Sequence, residues 1–485
     1  MTHEGPEATA PELDKDTTKD LGAPAPAEDL EDLALEDDYG LNPEYVERVI
    51  DAADRGDEEH LRELVEALHP ADVADLMGFL SPAYRESLVP LLDSSALAEI
   101  LPELEDNIRE DVLEAAPTDT LVSALGDMDS DDAADVVDDL EEDKRDAVLA
   151  AMSDADRTAI EASLGYKDET AGRLMQREVV AAPQFWTIAQ TLEHLRAGHD
   201  LPELFFDVYV VDPAFRPIGA APLSRLVTAR PELPMTQVME PVTEIPVDMD
   251  QEEVAYAFEK YRLISAPVVD QGGRLVGQIT VDDIVGVIRE ESEEDTLALA
   301  GVSDVGRDAS ILEITKSRFW WLFVNLGTAV LAASVIGLFQ GQIAKLVALA
   351  VLNPIAASMG GNAGTQTVTV AVRALATKEL SAANVLRTIW RETAVGLLNG
   401  VAFAVIMGGV AGLWFHDPSL ALVTGLAMVV SLFAAAVAGI LIPLALDKMG
   451  YDPAVSSVVF LTTVTDCVGY FSFLGLATVL ILAHR

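Results

Sequence analysis

The feature that most constrains this 485-residue chain is an abrupt change of solvent preference near residue 300. Residues 1–300 carry 72 Asp and Glu against 21 Lys and Arg, a net charge of −51. Residues 301–485 carry 9 against 10, a net of +1. From 318 onward come five long apolar stretches, roughly 318–339, 344–372, 384–415, 419–446 and 454–482. Each is long enough to cross about 30 Å of hydrocarbon as a helix. A very acidic soluble half is therefore joined to a membrane half. That combination excludes a simple cytosolic enzyme and a disulfide-stapled secreted scaffold. It also excludes a nucleic-acid binder, which needs basic patches for phosphate. The single cysteine, Cys467, permits no intramolecular disulfide and fits a reducing compartment for the soluble part. The opening MTHEGPEATAPELDKD is acidic and has no apolar core, so it does not read as a signal peptide.

Basic residues orient the spans. Lys316, Arg318, Arg373, Lys378, Arg387, Arg391 and Lys448 fall on one side, whereas the loop Trp414–Pro418 has no Lys or Arg. Lys345 and the C-terminal Arg485 are the exceptions. The positive-inside rule then places the N-terminal half in the cytosol and the C-terminus outside.

Within the soluble half, residues 1–39 lack hydrophobic periodicity and read as a disordered acidic tail. Residues 40–165 read as short amphipathic helices with an internal repeat. Ala74-Asp75-Leu76, Leu80, Arg85 and Leu88 recur as Ala98-Glu99-Ile100, Leu104, Arg109 and Val112. They recur again as Ala134-Asp135-Val136, Leu140, Arg145 and Val148. Repeated helix pairs suit a superhelical stack, with a plain helical spacer as the alternative.

Residues 168–290 contain two β/α units, 168–229 and 230–290. Each has an extended apolar run (Phe205–Asp212, Ser265–Asp270), a turn, a second strand ending in Gly, and a helix. They resemble a tandem pair of CBS domains. Gly277-Gln-Ile-Thr280-Val-Asp-Asp283 resembles that family's ribose-phosphate motif, so Thr280 and Asp283 are the candidate contacts for ATP or a related adenine nucleotide. A helix N-cap by Thr280 is the alternative. The matching stretch of the first unit, Gly219-Ala-Ala-Pro222-Leu-Ser-Arg225, has lost both groups.

Two features of the membrane half go beyond lipid anchoring. Asn353-Pro354 through Thr369 is rich in Gly, Asn, Gln and Thr, whose polar atoms lipid cannot satisfy. It should face water or other protein, close packing through glycine being the alternative. The second feature is Asp466, in LTTVTDCVGYF, the only acid deep in any span. An intramembrane carboxylate is a functional candidate by default. A structural hydrogen bond from Thr462, Thr463 or Thr465 is the competing explanation.

The whole order is acidic helical repeat, tandem CBS pair, acidic linker (Glu290–Asp295), then spans carrying PIAASMGGNAGTQ and TTVTD. Over residues 40–482 it resembles the MgtE family of magnesium channels and transporters. That resemblance implies a multidomain fold: an all-α superhelical N domain, α/β tandem CBS domains, an acidic linker (plug) helix over 291–316, and a five-helix transmembrane domain over 317–485. It implies a homodimer in the cell membrane, with the pore on the two-fold axis, lined by the second and fifth spans. Asp466 falls at the family's pore carboxylate. Gly361, Asn362, Thr365 and Thr369 fall on its pore-facing second span, and Asp452 near the cytosolic side. Regulatory Mg²⁺ would bind among Glu99 and Asp131 in the helical domain, Asp250, Glu252 and Asp283 in CBS, and Glu291, Glu294 and Asp295 on the linker. Arg262 and Gly286 stand where acids often occur in the family. Mg²⁺ is hard, prefers oxygen and sheds water reluctantly, which suits carboxylates, amides and hydroxyls. The chain has no Walker A or aspartyl-phosphate signature to drive a pump and no nucleophile–base set of an enzyme. The alternative is a CBS-regulated, nucleotide-sensing transporter of another divalent cation or solute.

Overall fold

The computed structural model describes residues 34–35, 40–198, 201–202, 204–302, 311–380 and 383–482. The tail expected over 1–39 lies outside them except for Ala34 and Leu35, as does 303–310 of the expected linker. The chain divides into two compact units. One is Met1–Met128 with Val136–Met152; the other is Asp129–Asp135 with Ser153–Arg485.

The first unit is a series of short helices: α1 (Pro43–Arg55), α2 (Glu58–Glu66), α3 (Pro70–Phe79), α4 (Pro82–Leu88), α5 (Ser94–Ile100), α6 (Asp106–Ala115) and α7 (Thr118–Asp127). After α8 (Ser130–Asp138), which spans the boundary, comes α9 (Glu142–Ala151). Helices of this length do not persist alone in water, so shared burial holds them. The sequence repeat occupies the pairs α3–α4, α5–α6 and α8–α9. Its apolar members, from Leu76, Leu80 and Leu88 to Val136, Leu140 and Val148, are all buried.

The repeated arginines are structural. Arg85 Nε donates to the Met77 carbonyl at 2.8 Å, and its Nη1 pairs with Asp111 at 2.7 Å. Arg109 Nε pairs with Asp139 at 2.6 Å. Arg145 donates to the carbonyls of Asp138 and Leu140. In the first and third repeats the guanidinium thus donates to carbonyls at or just beyond the end of the preceding helix.

The second unit continues with α10 (Asp154–Ser163) and α11 (Ala171–Leu174), then two similar α/β halves. The first comprises β1 (Ala181–Pro183), α12 (Ile188–Ala197), β2 (Asp207–Val211), β3 (Pro217–Pro222) and α13 (Leu223–Thr228). The other comprises β4 (Ile245–Pro246), α14 (Gln251–Tyr261), β5 (Ser265–Val269), β6 (Leu275–Thr280) and α15 (Val281–Leu299). In each sheet the first pair is parallel and the second antiparallel. Both antiparallel pairs shift register at the same place, Val210/Val211 and Val268/Val269. Gly219 and Gly277 lie inside β3 and β6 rather than at their ends. A Cβ would meet the Glu240 carbonyl at 2.7 Å in one and the Gln176 carbonyl at 2.6 Å in the other. Each glycine admits a neighbouring chain segment, which is why neither marks a strand end.

The acidic linker is not a separate helix beginning at 291. It is the second half of α15, which starts at Val281 on a Thr280–Asp283 capping box. Ile284 and Val287 bury its first turns against the second α/β half, and no proline interrupts the run to Leu299.

The membrane half holds α16 (Ile311–Leu338), the short α17 (Gln340–Lys345), α18 (Ala348–Ala376), α19 (Val385–Phe415), α20 (Pro418–Lys448) and α21 (Pro453–Ala477), with a π-helical turn over Thr478–Leu482. Among the described residues four segments are long and apolar enough to cross a membrane: α16, α19, α20 and Ser457–Ile481. α18 has 29 residues, but Asn, Gly, Gln and Thr dilute its hydropathy below that of the others. It packs against α20 and α21. Close approach relies on small residues, as expected where lipid offers no hydrophobic drive. A Cβ on Gly400 would lie 3.1 Å from Val429 Cα, and one on Gly469 would lie 3.0 Å from Ala357 Cα.

Candidate cation pathway and acidic junction

Asp466 sits mid-way along α21, half-buried. The hydroxyls that offered a structural explanation are all engaged elsewhere. Thr462 donates to the Val458 carbonyl at 2.8 Å, Thr463 to Val459 at 2.9 Å and Thr465 to Leu461 at 3.0 Å. Such back-bonding to the preceding turn is the usual fate of a threonine in a span. Among the described residues the Asp466 carboxylate has no hydrogen-bond or ion-pair partner. It lines a cavity of about 550 Å³ together with Thr462, the α16 residues Arg318, Asn325 and Thr328, and Ala298–Val302 at the end of α15.

α18 divides its polar residues between two faces. Gly364 is buried against α21, where a Cβ would come within 2.8 Å of Leu461. Gly360 faces Ser431 of α20, whose hydroxyl donates to the Ala356 carbonyl at 3.0 Å. Asn362, Thr365 and Thr369 lie on the opposite, exposed face, and a Cβ on Gly361 would meet open space. Tight packing and an exposed polar stripe thus coexist on one helix. None of these four candidates lines the Asp466 cavity. The first span does so instead.

A second acidic region lies where the second α/β half meets the start of α21. Asp452 caps α21, accepting from Ala454 N at 2.7 Å, and Asp250 caps α14, accepting from Glu252 N at 3.0 Å. Both therefore have structural duties. Glu291 accepts from Gln251 Nε2 at 2.8 Å. Burial pushes the carboxyls of Glu252, Glu291, Glu294 and Asp295 upward, and neighbouring acids push further. Glu294 and Asp295 both feel Asp452; Glu252 and Glu291 both feel Asp250. Glu169 adds charge beside Glu291 and Glu294. Sequence reasoning missed Glu169 because no motif surrounds it. It also missed Lys378, beyond the end of α18, which pairs with Glu253 at 2.9 Å and lies 5.1 Å from the Tyr256 ring.

A third group forms around Asp131, only 5 % exposed, whose Oδ1 has no partner. Burial pushes its carboxyl well above the usual range, and Asp283, Asp132 and Asp129 add to this. Asp283 is pushed up to about 6, chiefly by burial, against the opposing hydrogen bonds from Thr280. Thr280 Oγ1 donates to Asp283 Oδ2 at 2.8 Å, and its amide donates to the same oxygen at 3.2 Å. The two nucleotide candidates are thus joined in a helix cap. In the first half Arg225 instead pairs with Glu240 and donates to the Val238 carbonyl at 3.2 Å. Glu99 is exposed on α5, in the first compact unit. Arg262 ends α14 with φ 54°, and Gly286 on α15 faces open space. Among the described residues no three His, Cys, Asp or Glu side chains converge into a ready coordination shell.

Comparison with known proteins matches residues 353–476 to the MgtE divalent cation transporter model, 68–169 to the MgtE intracellular N domain and 232–290 to the CBS domain. The chain is 34 % identical over 314 residues to the magnesium transporter MgtE of Enterococcus faecalis, covering 64 % of this chain and 69 % of that one. It is 33 % identical over 320 residues to the magnesium transporter MgtE of Thermus thermophilus, covering 65 % and 71 %. A crystal structure of the cytosolic domain of the Mg²⁺ channel MgtE with ATP aligns at 33 % identity and TM-score 0.47, covering 50 % of this chain and 99 % of that one. With two-thirds of each of those transporters spanned at this identity, the chain belongs to the MgtE family of divalent cation transporters.

Proposed function

We propose that the chain is a passive, Mg²⁺-selective importer of the cell membrane and not an enzyme. It acts as a homodimer, and cytosolic Mg²⁺ closes it by binding the acidic N, CBS and linker surfaces. The observation that carries this reading is Asp466, a mid-span carboxylate with no protein partner among the described residues and a cavity beside it. A hydrated cation is the partner that removes the cost of such a group. Mg²⁺ keeps several waters and is held by few carboxylates, so it does not need a converged shell of acids.

In this reading 40–165 is the N domain, 168–229 and 230–290 are the CBS pair, 291–316 is the linker, and 317–485 spans the membrane five times. α18 is the span sheltered from lipid, with the N-terminal domains cytosolic and the C-terminus outside. The exposed stripe of Asn362, Thr365 and Thr369 would meet its counterpart in the second copy. An adenine nucleotide would bind at Thr280 and Asp283, because the first half offers Pro222 and Arg225 instead.

The test is indicator-monitored uptake by liposomes holding the purified chain, with Mg²⁺, Ca²⁺ and Co²⁺ compared. Mg²⁺ should enter down its gradient without ATP and faster than Ca²⁺. Uptake that needs ATP, or that prefers Ca²⁺, would remove the passive Mg²⁺ reading.

A further inference from the structure

Two contacts join the second α/β half and its long helix to the C-terminal end of α18, the helix with the exposed polar stripe. One is apolar: Ala298, near the end of α15, is buried in a cluster with Val368 and Val372 of α18. The other is charged. Lys378 Nζ pairs with Glu253 of α14 at 2.9 Å and lies 5.1 Å from the centre of the Tyr256 ring. Glu253, Tyr256 and Lys260 are spaced by three and four residues, so they share one face of α14. Lys260 Nζ lies 5.3 Å from the same ring, which thus serves two ammonium groups. The charge of Lys378 also reaches Glu252, where it opposes the upward push from burial and from Glu291, Asp250 and Asp295.

The backbone at Lys378 is an unusual place for a lysine. α18 ends at Ala376, and Lys378 has φ 50°, the left-handed conformation that glycine ordinarily supplies just past a helix. A Cβ there strains the backbone. Hydrogen bonds fix the turn, with Lys378 N donating to the Leu375 carbonyl at 2.9 Å and Leu380 N to that of Ala374 at 2.8 Å. A cation near a helix C-terminus gains from the helix dipole, but Arg373 in the last turn already supplies one. What glycine could not supply is the ammonium that reaches α14. Strain that persists at one residue points to a use for its side chain.

We infer that Lys378 is a built-in cationic latch. It holds α14 against the end of α18 with a fixed charge, beside the carboxylates that a divalent ion would bridge, and so sets the cytosolic Mg²⁺ concentration at which the pore closes. This rests on the reading that cytosolic Mg²⁺ compacts and closes the channel. A half-exposed ion pair is weak alone, so the latch biases the equilibrium and does not replace the metal.

The test uses the full-length chain and two titrations: the Mg²⁺ that half-protects the 291–316 linker from protease, and the Mg²⁺ that half-closes flux in liposomes. Lys378→Gln and Lys378→Gly should each raise both midpoints by about three- to fivefold. Lys378→Gly also relieves the left-handed strain, so its melting temperature should not fall, which separates loss of the latch from loss of the fold. Lys378→Glu should raise the midpoints further by repelling Glu253. Combining it with Glu253→Lys should return them toward the wild type, a rescue that a merely structural lysine would not show. Unchanged or lower midpoints in Lys378→Gln and Lys378→Gly, or a swap no better than Lys378→Glu alone, overturn the inference. The contact is read separately by carbodiimide coupling of the wild type, which should join Lys378 to Glu253 through an amide found by mass spectrometry; its absence also overturns the inference. If wild-type protection and flux ignore Mg²⁺ while that amide forms, the Mg²⁺-gating reading fails and the set-point role with it, and the contact between α14 and α18 stands.

Discussion

Two acidic regions of this chain solve opposite problems. Asp466 stands apart: among the described residues its cavity is lined by no second acid, and the nearby threonine hydroxyls are bonded to backbone. At the junction of α14, α15 and α21, acids raise one another, and Lys378 is the cation facing them from the membrane half. A lone carboxylate attracts an ion and can release it. In the proposed reading a divalent ion relieves the crowded carboxylates, and its occupancy there would bias a conformational equilibrium. The largest expected effect follows from the first case. At an effective dielectric of about 20, a divalent ion about 4 Å from one carboxylate gains several kcal/mol. Asp466→Asn keeps the shape and removes the charge, so flux should fall by at least about tenfold. Near wild-type liposome uptake by the dimeric variant would erase the distinction between the two regions.

The junction should respond differently. Replacing Glu291, Glu294 and Asp295 with Gln, Gln and Asn removes repulsion and, in the proposed reading, the ligands of a bridging ion. Flux at low cytosolic Mg²⁺ should be retained, while closure should need several times more Mg²⁺ than in the wild type. NaCl of equal ionic strength should not substitute, because screening over about 8 Å is poor at the separations a bridging ion spans. If the variant closes at the wild-type concentration, these acids are a solvated face.

How much of this was legible beforehand depends on what kind of signal each residue left. Helix pairing in the N-terminal repeat and the two α/β halves were readable, because apolar spacing records burial directly. The linker helix starts ten residues before the expected 291, because its charge run is conspicuous whereas Thr280–Asp283 fits a helix cap and a ligand motif equally well in sequence. The mixed composition of α18 was read as one choice, packing or pore. Its glycines and its threonines in fact lie on different faces. Glu169 and Lys378 left no local pattern, and only tertiary contact reveals them.

Stability against pH separates the regions on a smaller scale. Asp283 is raised to about 6 and Asp131 well above its ordinary value. A carboxyl that is harder to ionise when folded destabilises the fold once it must carry charge. The penalty is therefore present above the folded value and vanishes as pH falls through it toward the unfolded value. For Asp283 it is on the order of 3 kcal/mol at neutral pH. In Mg²⁺-free buffer the melting temperature of the cytosolic transition should rise as pH falls from about 7 to 5. Mg²⁺ should remove most of that dependence by stabilising the ionised pair. Asp131→Asn should flatten the profile without Mg²⁺, and an unchanged profile would show that the pair does not control it.

The smallest effect concerns the nucleotide. Thr280 and Asp283 already satisfy each other through two hydrogen bonds at the start of α15. A ribose or phosphate that uses them must replace those bonds, so only the surplus over the cap appears as affinity. Removing a capping hydroxyl costs about 1 kcal/mol of helix stability on its own. Thr280→Ala should therefore lower the melting temperature slightly, whether or not nucleotide is present. If the motif binds ATP, calorimetry should also show a several-fold loss of affinity in Thr280→Ala and a larger one in Asp283→Asn. Arg225→Asp in the first half should not create a second site, because Pro222 supplies no hydroxyl there. Equal ATP affinity in the wild type and both second-half variants would leave Thr280 and Asp283 as a helix cap alone.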